Sequence, residues 1–355
     1  MASPLGPYGN GSEFAFSGVS CSGTVSCIAV GDYANAEGDS LPMSEDWDGT
    51  SWTSVDIHGP EYSGLDGVSC PDSTDCMAVG SSRYGTFAKS WNGTKWTNVH
   101  SPAPSGAIDS ELSSVSCPTP SSCEAVGVYQ NASSTSFTLA ESWNGTSWSL
   151  VKSPNPKGVT GSELLKVACG GPTSCVAVGY SFDSRGNSST LTESWNGTSW
   201  SLVSSPDSPT GSEDVLMGVS CVDASNCTAV GDYTNLSAEF VTLVETWDGS
   251  TWSLVSGADA DGALGSVSCT SATRCMAVGF DTGTFAYRWN GTSWRVLSSP
   301  DPEHSSGSIL DDVSCVSART CNAVGYYTGK ASDTTYTLAE TWNGSNWTLV
   351  SSPNR

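Results

Sequence analysis

One unit, copied seven times from end to end, constrains this chain more than any other feature. Each copy carries a C-x5-C pair, an Ala-Val-Gly just downstream, and then W-[ND]-G-[ST]-x-W. The cysteines stand at Cys21/Cys27, Cys70/Cys76, Cys117/Cys123, Cys169/Cys175, Cys221/Cys227, Cys269/Cys275 and Cys315/Cys321, with successive first members 46 to 52 residues apart. The tryptophans follow as Trp47/Trp52, Trp91/Trp96, Trp143/Trp148, Trp195/Trp200, Trp247/Trp252, Trp289/Trp294 and Trp342/Trp347, which exhausts the chain's fourteen. A repeat of this period running through 355 residues argues for one closed body rather than several unrelated domains.

Paired thiols at one fixed local spacing read as a disulfide framework, each pair closing a short loop worth roughly 2 kcal/mol in the chain-entropy account. Zinc is the competing reading. It needs about four ligands per ion, whereas each copy offers two cysteines and the three histidines, His58, His100 and His304, lie outside the repeated positions. Disulfides place the chain in an oxidising compartment, secreted or extracellular. The N-terminus shows neither a charged leader nor an apolar stretch, so export implies a signal already removed. Thirty-six acidic against thirteen basic residues give a formal charge of -23, which repels nucleic-acid phosphates and anionic lipid, and no apolar run is long enough to enter a membrane.

In the third copy, 112–117 reads as a strand, 118–122 as a turn, 124–129 as a second strand and 131–136 as a loop; 137–143 and 148–151 then form a hairpin. Every copy places Phe or Leu five residues before its first cysteine (Phe16, Leu65, Leu112, Leu164, Leu216, Leu264, Leu310) and Val two before it. That odd spacing predicts opposite faces of the strand, both buried. Asn-Gly and Asp-Gly predict a type I′ hairpin, with the first Trp facing the Thr or Ser three residues on. The second Trp then faces the residue two before the first, and both indoles share one face. Asn92, Asn144, Asn196, Asn290 and Asn343 begin N-G-[ST] glycosylation acceptors, yet Asp48 and Asp248 replace Asn in two copies. Turn chemistry accounts for both, and glycosylation stays open. The indoles are either sugar platforms or blade-to-blade packing; burial is the better account of large repeated aromatics. The residue two before the first Trp is Glu45, Glu141, Glu193, Glu245 and Glu340 in five copies but Lys89 and Tyr287 in the others. A carboxylate replaceable by lysine is not expected to be catalytic.

Seven two-faced units bury themselves only as a ring. The expected fold is therefore all-β: a single-domain seven-bladed β-propeller over 1–355, four antiparallel strands and one disulfide per blade. The blades run approximately over 14–58, 63–101, 110–153, 162–205, 213–256, 262–299 and 308–352. Residues 3–13 resemble the later linker at 153–163. The first copy starts with its inner strand and the last ends with its outer one, so no strand should be exchanged between the termini.

The strand, Ala-Val-Gly, loop and Trp-x-Gly hairpin resemble kelch-type seven-bladed propellers, with a single glycine (Gly31, Gly80, Gly127, Gly179, Gly231, Gly279, Gly325) where kelch blades carry two, and with cysteines that kelch blades lack. The Trp-Asn-Gly-Thr-Ser-Trp hairpin is similar to the aspartate box of sialidases but one residue shorter, so sialidase activity is not implied. The repeat style also resembles exported actinobacterial proteins, and its length and setting resemble those of bacterial propeller lectins.

Antiparallel order puts the cysteine turns and Asn-Gly hairpins on one end of the ring. The second loops and linkers gather on the other, where unequal length (34–41, 130–136, 182–189, 234–240 and 328–335 against 83–85 and 282–283) makes it the expected binding end. The residues just after Ala-Val-Gly there, Asp32, Tyr33, Tyr129, Tyr180, Asp232, Tyr233, Tyr326 and Tyr327, are the candidate ligand contacts, since rings beside carboxylates suit sugars. Packing of the same tyrosines with a wet hydroxyl is the alternative. No H-E-x-x-H, phosphate loop or G-x-S-x-G occurs, so no catalytic residue and no cofactor is expected; carboxylate pairs such as Asp311-Asp312 and Glu213-Asp214 leave calcium possible without matching a calcium loop. The expected role is a secreted, non-enzymatic protein that binds a glycan or cell-surface polymer; the alternatives are a scaffold for an extracellular protein partner and, third, a glycan-acting hydrolase or lyase.

Overall fold

A computed structural model describes residues 12–331 and 334–354 of the chain. It is a seven-bladed β-propeller built of four-stranded antiparallel sheets, each made from four successive strands. The first blade uses Ser12–Gly23, Ser26–Ala34, Ser40–Trp47 and Trp52–Ser54; the last uses Ser305–Ser317, Thr320–Gly329, Thr335–Trp342 and Trp347–Leu349. Among the described residues no strand is exchanged between the ends. The expected likeness of residues 3–13 to a linker falls almost wholly outside the described residues. No helix of the described residues is long and apolar enough to cross a membrane.

Each blade holds one disulfide between its first two strands: Cys21–Cys27, Cys70–Cys76, Cys117–Cys123, Cys169–Cys175, Cys221–Cys227, Cys269–Cys275 and Cys315–Cys321. No described cysteine is free, and the zinc alternative falls with this pairing. The sequence treats the two members of a pair alike, and the structure separates them. Cys27, Cys76, Cys123, Cys175, Cys227, Cys275 and Cys321 are all buried, whereas of the first members only Cys117 is. The physical reason is strand order. The second strand is flanked by strands on both edges, and each of these cysteines pairs with the first Trp of its own blade, as Cys27 with Trp47, Cys76 with Trp91, Cys123 with Trp143, Cys175 with Trp195 and Cys227 with Trp247. The second cysteines are therefore core residues as well as crosslinks, packing in the same clusters as the buried indoles.

The inner strand differs from the expectation in one respect. Every one bulges between the Phe or Leu and the Val, as between Phe16 and Gly18 or Leu164 and Lys166. The extra residue cancels the odd spacing, so Phe16 and Val19 share a face instead of opposing one another. They pack with Ala29, Trp47 and Trp52 against Val324 and Ala339 of the seventh blade. The opposite face is buried by other residues: Ile28 and Val30 of the second strand meet Leu65, Val68 and Trp96 of the next blade. The bulge also explains the glycine of Ala-Val-Gly. A Cβ on Gly127 would stand 2.0 Å from the Glu111 carbonyl oxygen, and the other six copies repeat the conflict.

The outer hairpin differs too. The first Trp lies opposite the second Trp, not opposite the Thr or Ser, and Glu45 lies opposite Ser54. Only the glycine takes positive φ, at 96° in Gly49, so the loop is a four-residue Asx turn and not a type I′ turn. Asn144 Oδ1 accepts from the Thr146 and Ser147 amides at 3.0 Å and from the Thr146 hydroxyl at 2.8 Å. Asp48 does the same, and those donors hold its carboxyl down to about 2. The [ST] of N-G-[ST] is thus a turn residue in its own right. The indoles still share a face, 5.5 to 5.8 Å apart. Every second Trp is buried, which leaves it to packing rather than to a sugar platform.

Two hydrogen bonds repeat between blades. The amide of a blade's first cysteine donates to the serine that precedes the equivalent cysteine one blade back, as Cys70 N–H to Ser20 Oγ and, closing the ring, Cys21 N–H to Ser314 Oγ. The fourth blade has Ala168 in place of that serine. On the outer wall, Ser352, Ser101, Ser153, Ser205 and Ser299 donate to Glu45, Glu141, Glu193, Glu245 and Glu340 of the following blade at 2.8 to 3.0 Å. These glutamates are wholly buried, which pushes each carboxyl up to about 8. The repeated glutamate is a clasp between blades.

Candidate functional site

Strand alternation divides the eight candidate contacts. Tyr33, Tyr129, Tyr233 and Tyr327 occupy the second position after the glycine. Tyr33 stacks on Phe14 at 5.7 Å, Tyr129 on Phe137 at 5.4 Å and Tyr327 on Tyr336 at 5.3 Å. Tyr233 is buried against Val176 and Val178 of the preceding blade. These four pack. Asp32, Tyr180, Asp232 and Tyr326 occupy the first position, and Tyr180 and Asp232 line a common cleft.

That cleft, about 510 Å³, spans the fourth and fifth blades on the loop-rich end. Glu163, Tyr180 and Phe182 form one side; Glu213, Asp232 and Phe240 form the other. None of its lining residues is a cysteine, so the disulfides, Cys175 and Cys227 of these two blades included, belong to the fold and not to the site. The Tyr180 hydroxyl donates to Glu163 Oε2 at 2.8 Å, and burial together with that carboxylate raises the phenol. Phe240 is 54 % exposed.

Asp232 is the unusual member. It is only 5 % exposed, and among the described residues nothing donates a hydrogen bond to its carboxylate. Burial, with the charge of Asp214 as a smaller cause, pushes it up to about 7. The first blade supplies an internal comparison, because its Gly-Asp-Tyr and following loop fold in the same way. Asn35 Oδ1 accepts from the amides of residues 37 and 39, and Asn235 Oδ1 from those of 237 and 239. There, Ser40 donates to Asp32 Oδ2 at 2.7 Å. In the fifth blade Phe240 replaces that serine, both pairing with the strand residue two beyond the aspartate (Ser40 with Ala34, Phe240 with Thr234). One substitution removes the internal donor and sets an exposed ring beside the open carboxylate.

The axis carries a second asymmetry. Three residues before the first cysteine, neighbouring inner strands approach closely: a Cβ on Gly18 would sit 3.3 Å from Gly67 Cα. Five copies use Gly or Ser there, and the exceptions are Lys166 and Asp312. They meet across the ring, Lys166 Nζ to Asp312 Oδ1 at 2.8 Å, joining the fourth and seventh blades. Asp312 also accepts from Ser266 Oγ at 2.6 Å and from the Val19 amide at 2.9 Å. From sequence, Asp311-Asp312 is a pair at which calcium is possible but not expected. The signal that reading lacked was that column of small residues broken by two opposite charges. Near the same axis burial raises Asp66 well above the ordinary carboxylate range, with Glu111 and Asp32 adding repulsion. Asp311 is pushed up to about 7 by burial first and by Asp312 second. No group of three or more potential metal ligands is assembled among the described residues. His58 pairs with Asp56 at 3.2 Å rather than with His100.

No family profile matches the chain, and no curated protein matches it in sequence. Solved structures match its shape. They include YCF48 bound to D1 peptide, at 12% identity and TM-score 0.54 over 92% of both chains. The fucose-specific lectin from Aleuria aurantia matches at 12% identity and TM-score 0.51, over 97% of this chain and 99% of that one. The β-propeller domain of the Trilobed protease from Pyrococcus furiosus, described as having an open velcro topology, matches at 10% identity and TM-score 0.57, over 97% of this chain and 100% of that one. Likeness at such identity shows the fold alone, the propeller that the strand order already describes.

Proposed function

We propose that this protein is a secreted, non-enzymatic binding propeller that recognises a glycan, and that the cleft between the fourth and fifth blades holds the sugar. One observation carries the reading: Asp232 is buried, has no donor among the described residues and opens beside the exposed ring of Phe240. A sugar supplies both missing halves, an apolar face for Phe240 and Phe182 and hydroxyl donors for Asp232 and Glu163. The loop that leads into Phe240, from Asn235 to Glu239, carries Leu236, 97 % exposed. Seven disulfides suit an extracellular setting. A kelch-type or actinobacterial origin of the repeat belongs to the same proposal. A glycan array and isolated cell walls test it. Wild-type protein should be retained, and Phe240→Ser, which rebuilds the capped aspartate of the first blade, should bind at least tenfold more weakly. Folded wild type retained on none of these surfaces refutes the reading.

A second reading, capture of a basic protein segment, is favoured by the acidic cluster of Asp66, Glu111 and Asp32 from the first three blades. A lysine- or arginine-rich peptide that competes where free sugars do not would select it.

A further inference from the structure

The two blades that lack the glutamate clasp resolve its loss differently. In the sixth, Tyr287 replaces Glu and packs 5.3 Å from Trp294 and against Ala258. That exchange buries an aromatic ring in place of the carboxylate and adds no charge. In the second, Lys89 replaces Glu, and Ile57 stands where the other clasps have their serine. Opposite Lys89 lies Asn98, whose Oδ1 accepts from Nζ at 2.7 Å. Lys89 is 3 % exposed, its ammonium has three donors, and the described residues place no carboxylate within ion-pair reach of it. Among the described residues its further partners are the Phe87 ring, 5.4 Å from Nζ, and the more distant charge of Asp56; a buried cation with no close counter-charge is costly unless something else satisfies it.

The surroundings show what that would be. Lys89 lines a cleft of about 440 Å³ on the outer wall between the first and second blades, with Lys95, Thr94, Asn98 and His58 also on its walls. Asp56 is on the wall too, already paired to His58. Two lysines and a hydroxyl converging on one cleft, in a chain of net charge -23, do not arise from a general basic surface. We infer that this cleft is an anion site, in which Lys89 Nζ, with Lys95 and Thr94, receives a carboxylate, sulfate or phosphate group of a small ligand. Asp56 lowers the affinity, as one negative charge at the rim must.

Isothermal titration of the whole protein with sodium phosphate, sodium sulfate and sodium glucuronate, glucose being the neutral control, tests the inference at low ionic strength. Wild type should take up one equivalent of at least one of the three anions and no glucose. The anion that binds tightest identifies the group. Lys89→Met, which keeps the packing, should weaken binding at least tenfold, and Asp56→Asn should strengthen it severalfold. The double variant Ile57→Ser, Lys89→Glu rebuilds the clasp of five other blades, so it should fold normally and bind no anion. No saturable uptake by wild type, or equal uptake by Lys89→Met or by the double variant, overturns the inference.

Discussion

Replacing one clasp glutamate, Glu193→Gln, should make the protein more stable by an amount that depends on pH. Glu193 is completely buried and held by Ser153 at 2.8 Å, and burial lifts its carboxyl from the ordinary 4.5 to about 8. A raised folded-state value means the folded chain holds this proton more tightly than the unfolded one. The associated stability is therefore complete below pH 4.5, declines as pH rises towards 8 and is fully lost above it. At about 1.36 kcal/mol per pH unit, the span is on the order of 5 kcal/mol, and relaxation and water entry reduce that to about 2–5 kcal/mol. Glutamine keeps the shape of the protonated acid and cannot ionise. Differential scanning calorimetry should find the two proteins within about 1 °C at pH 4, with the variant melting about 3–6 °C higher at pH 8 and no further divergence at pH 9. A difference that does not change with pH, or a variant less stable at pH 8, would show that this glutamate is ionised in the folded ring and refute the argument.

Other perturbations follow from the same geometry. Asp312→Ala strands Lys166 and frees the Val19 amide and the Ser266 hydroxyl, so chemical denaturation should show a loss of about 3–5 kcal/mol, against about 1 kcal/mol for Lys166→Met. Gly127→Ala forces a Cβ onto the Glu111 carbonyl and should cost more than about 3 kcal/mol by the same measurement. Asn144→Asp should leave the hairpin and melting midpoint unchanged, because Asp48 and Asp248 already make this turn, whereas Asn144→Ala removes the turn acceptor and costs about 1 kcal/mol.

The ring was legible because its determinants are local and repeated. A cysteine pair, a glycine and a hairpin at one spacing suffice to count blades, place four strands in each and pair the thiols. The register errors have two local causes. A bulge adds a residue that no periodicity rule registers, so Phe16 and Val19 were expected on opposite faces; a four-residue Asx loop and a two-residue type I′ turn share the same Asn-Gly, so the tryptophans were mispaired. The candidate contacts divide for a related reason. Alternation in the strand sends Tyr33 and Tyr233 inward and leaves Asp232 at a cleft, and without the bulge and register the two classes cannot be told apart. The clasps and the Lys166–Asp312 pair join residues 40 to 307 apart, beyond any local pattern.

Aligning the copies against one another recovers much of this, because each joint has two halves that change together. Where Glu is kept, the preceding linker keeps Ser; where Glu becomes Lys89 or Tyr287, that linker has Ile57 or Gly257. Lys166 and Asp312 break the same column with opposite charges, and Ser40 and Phe240 separate two otherwise matching Gly-Asp-Tyr loops. A departure matched by a compensating change is absorbed by the ring, as Tyr287 is by Trp294 and Ala258. Asp232 and Lys89 are departures whose compensation is incomplete within the described residues: a carboxylate with no donor, and an ammonium with one hydrogen-bond acceptor, a ring beside it and no carboxylate within ion-pair reach. An uncompensated buried charge is a poor source of stability, since an apolar replacement of similar volume is often as stable or more so. Both charges border open clefts rather than sealed cores, and a ligand arriving from solvent is the remaining way to complete them.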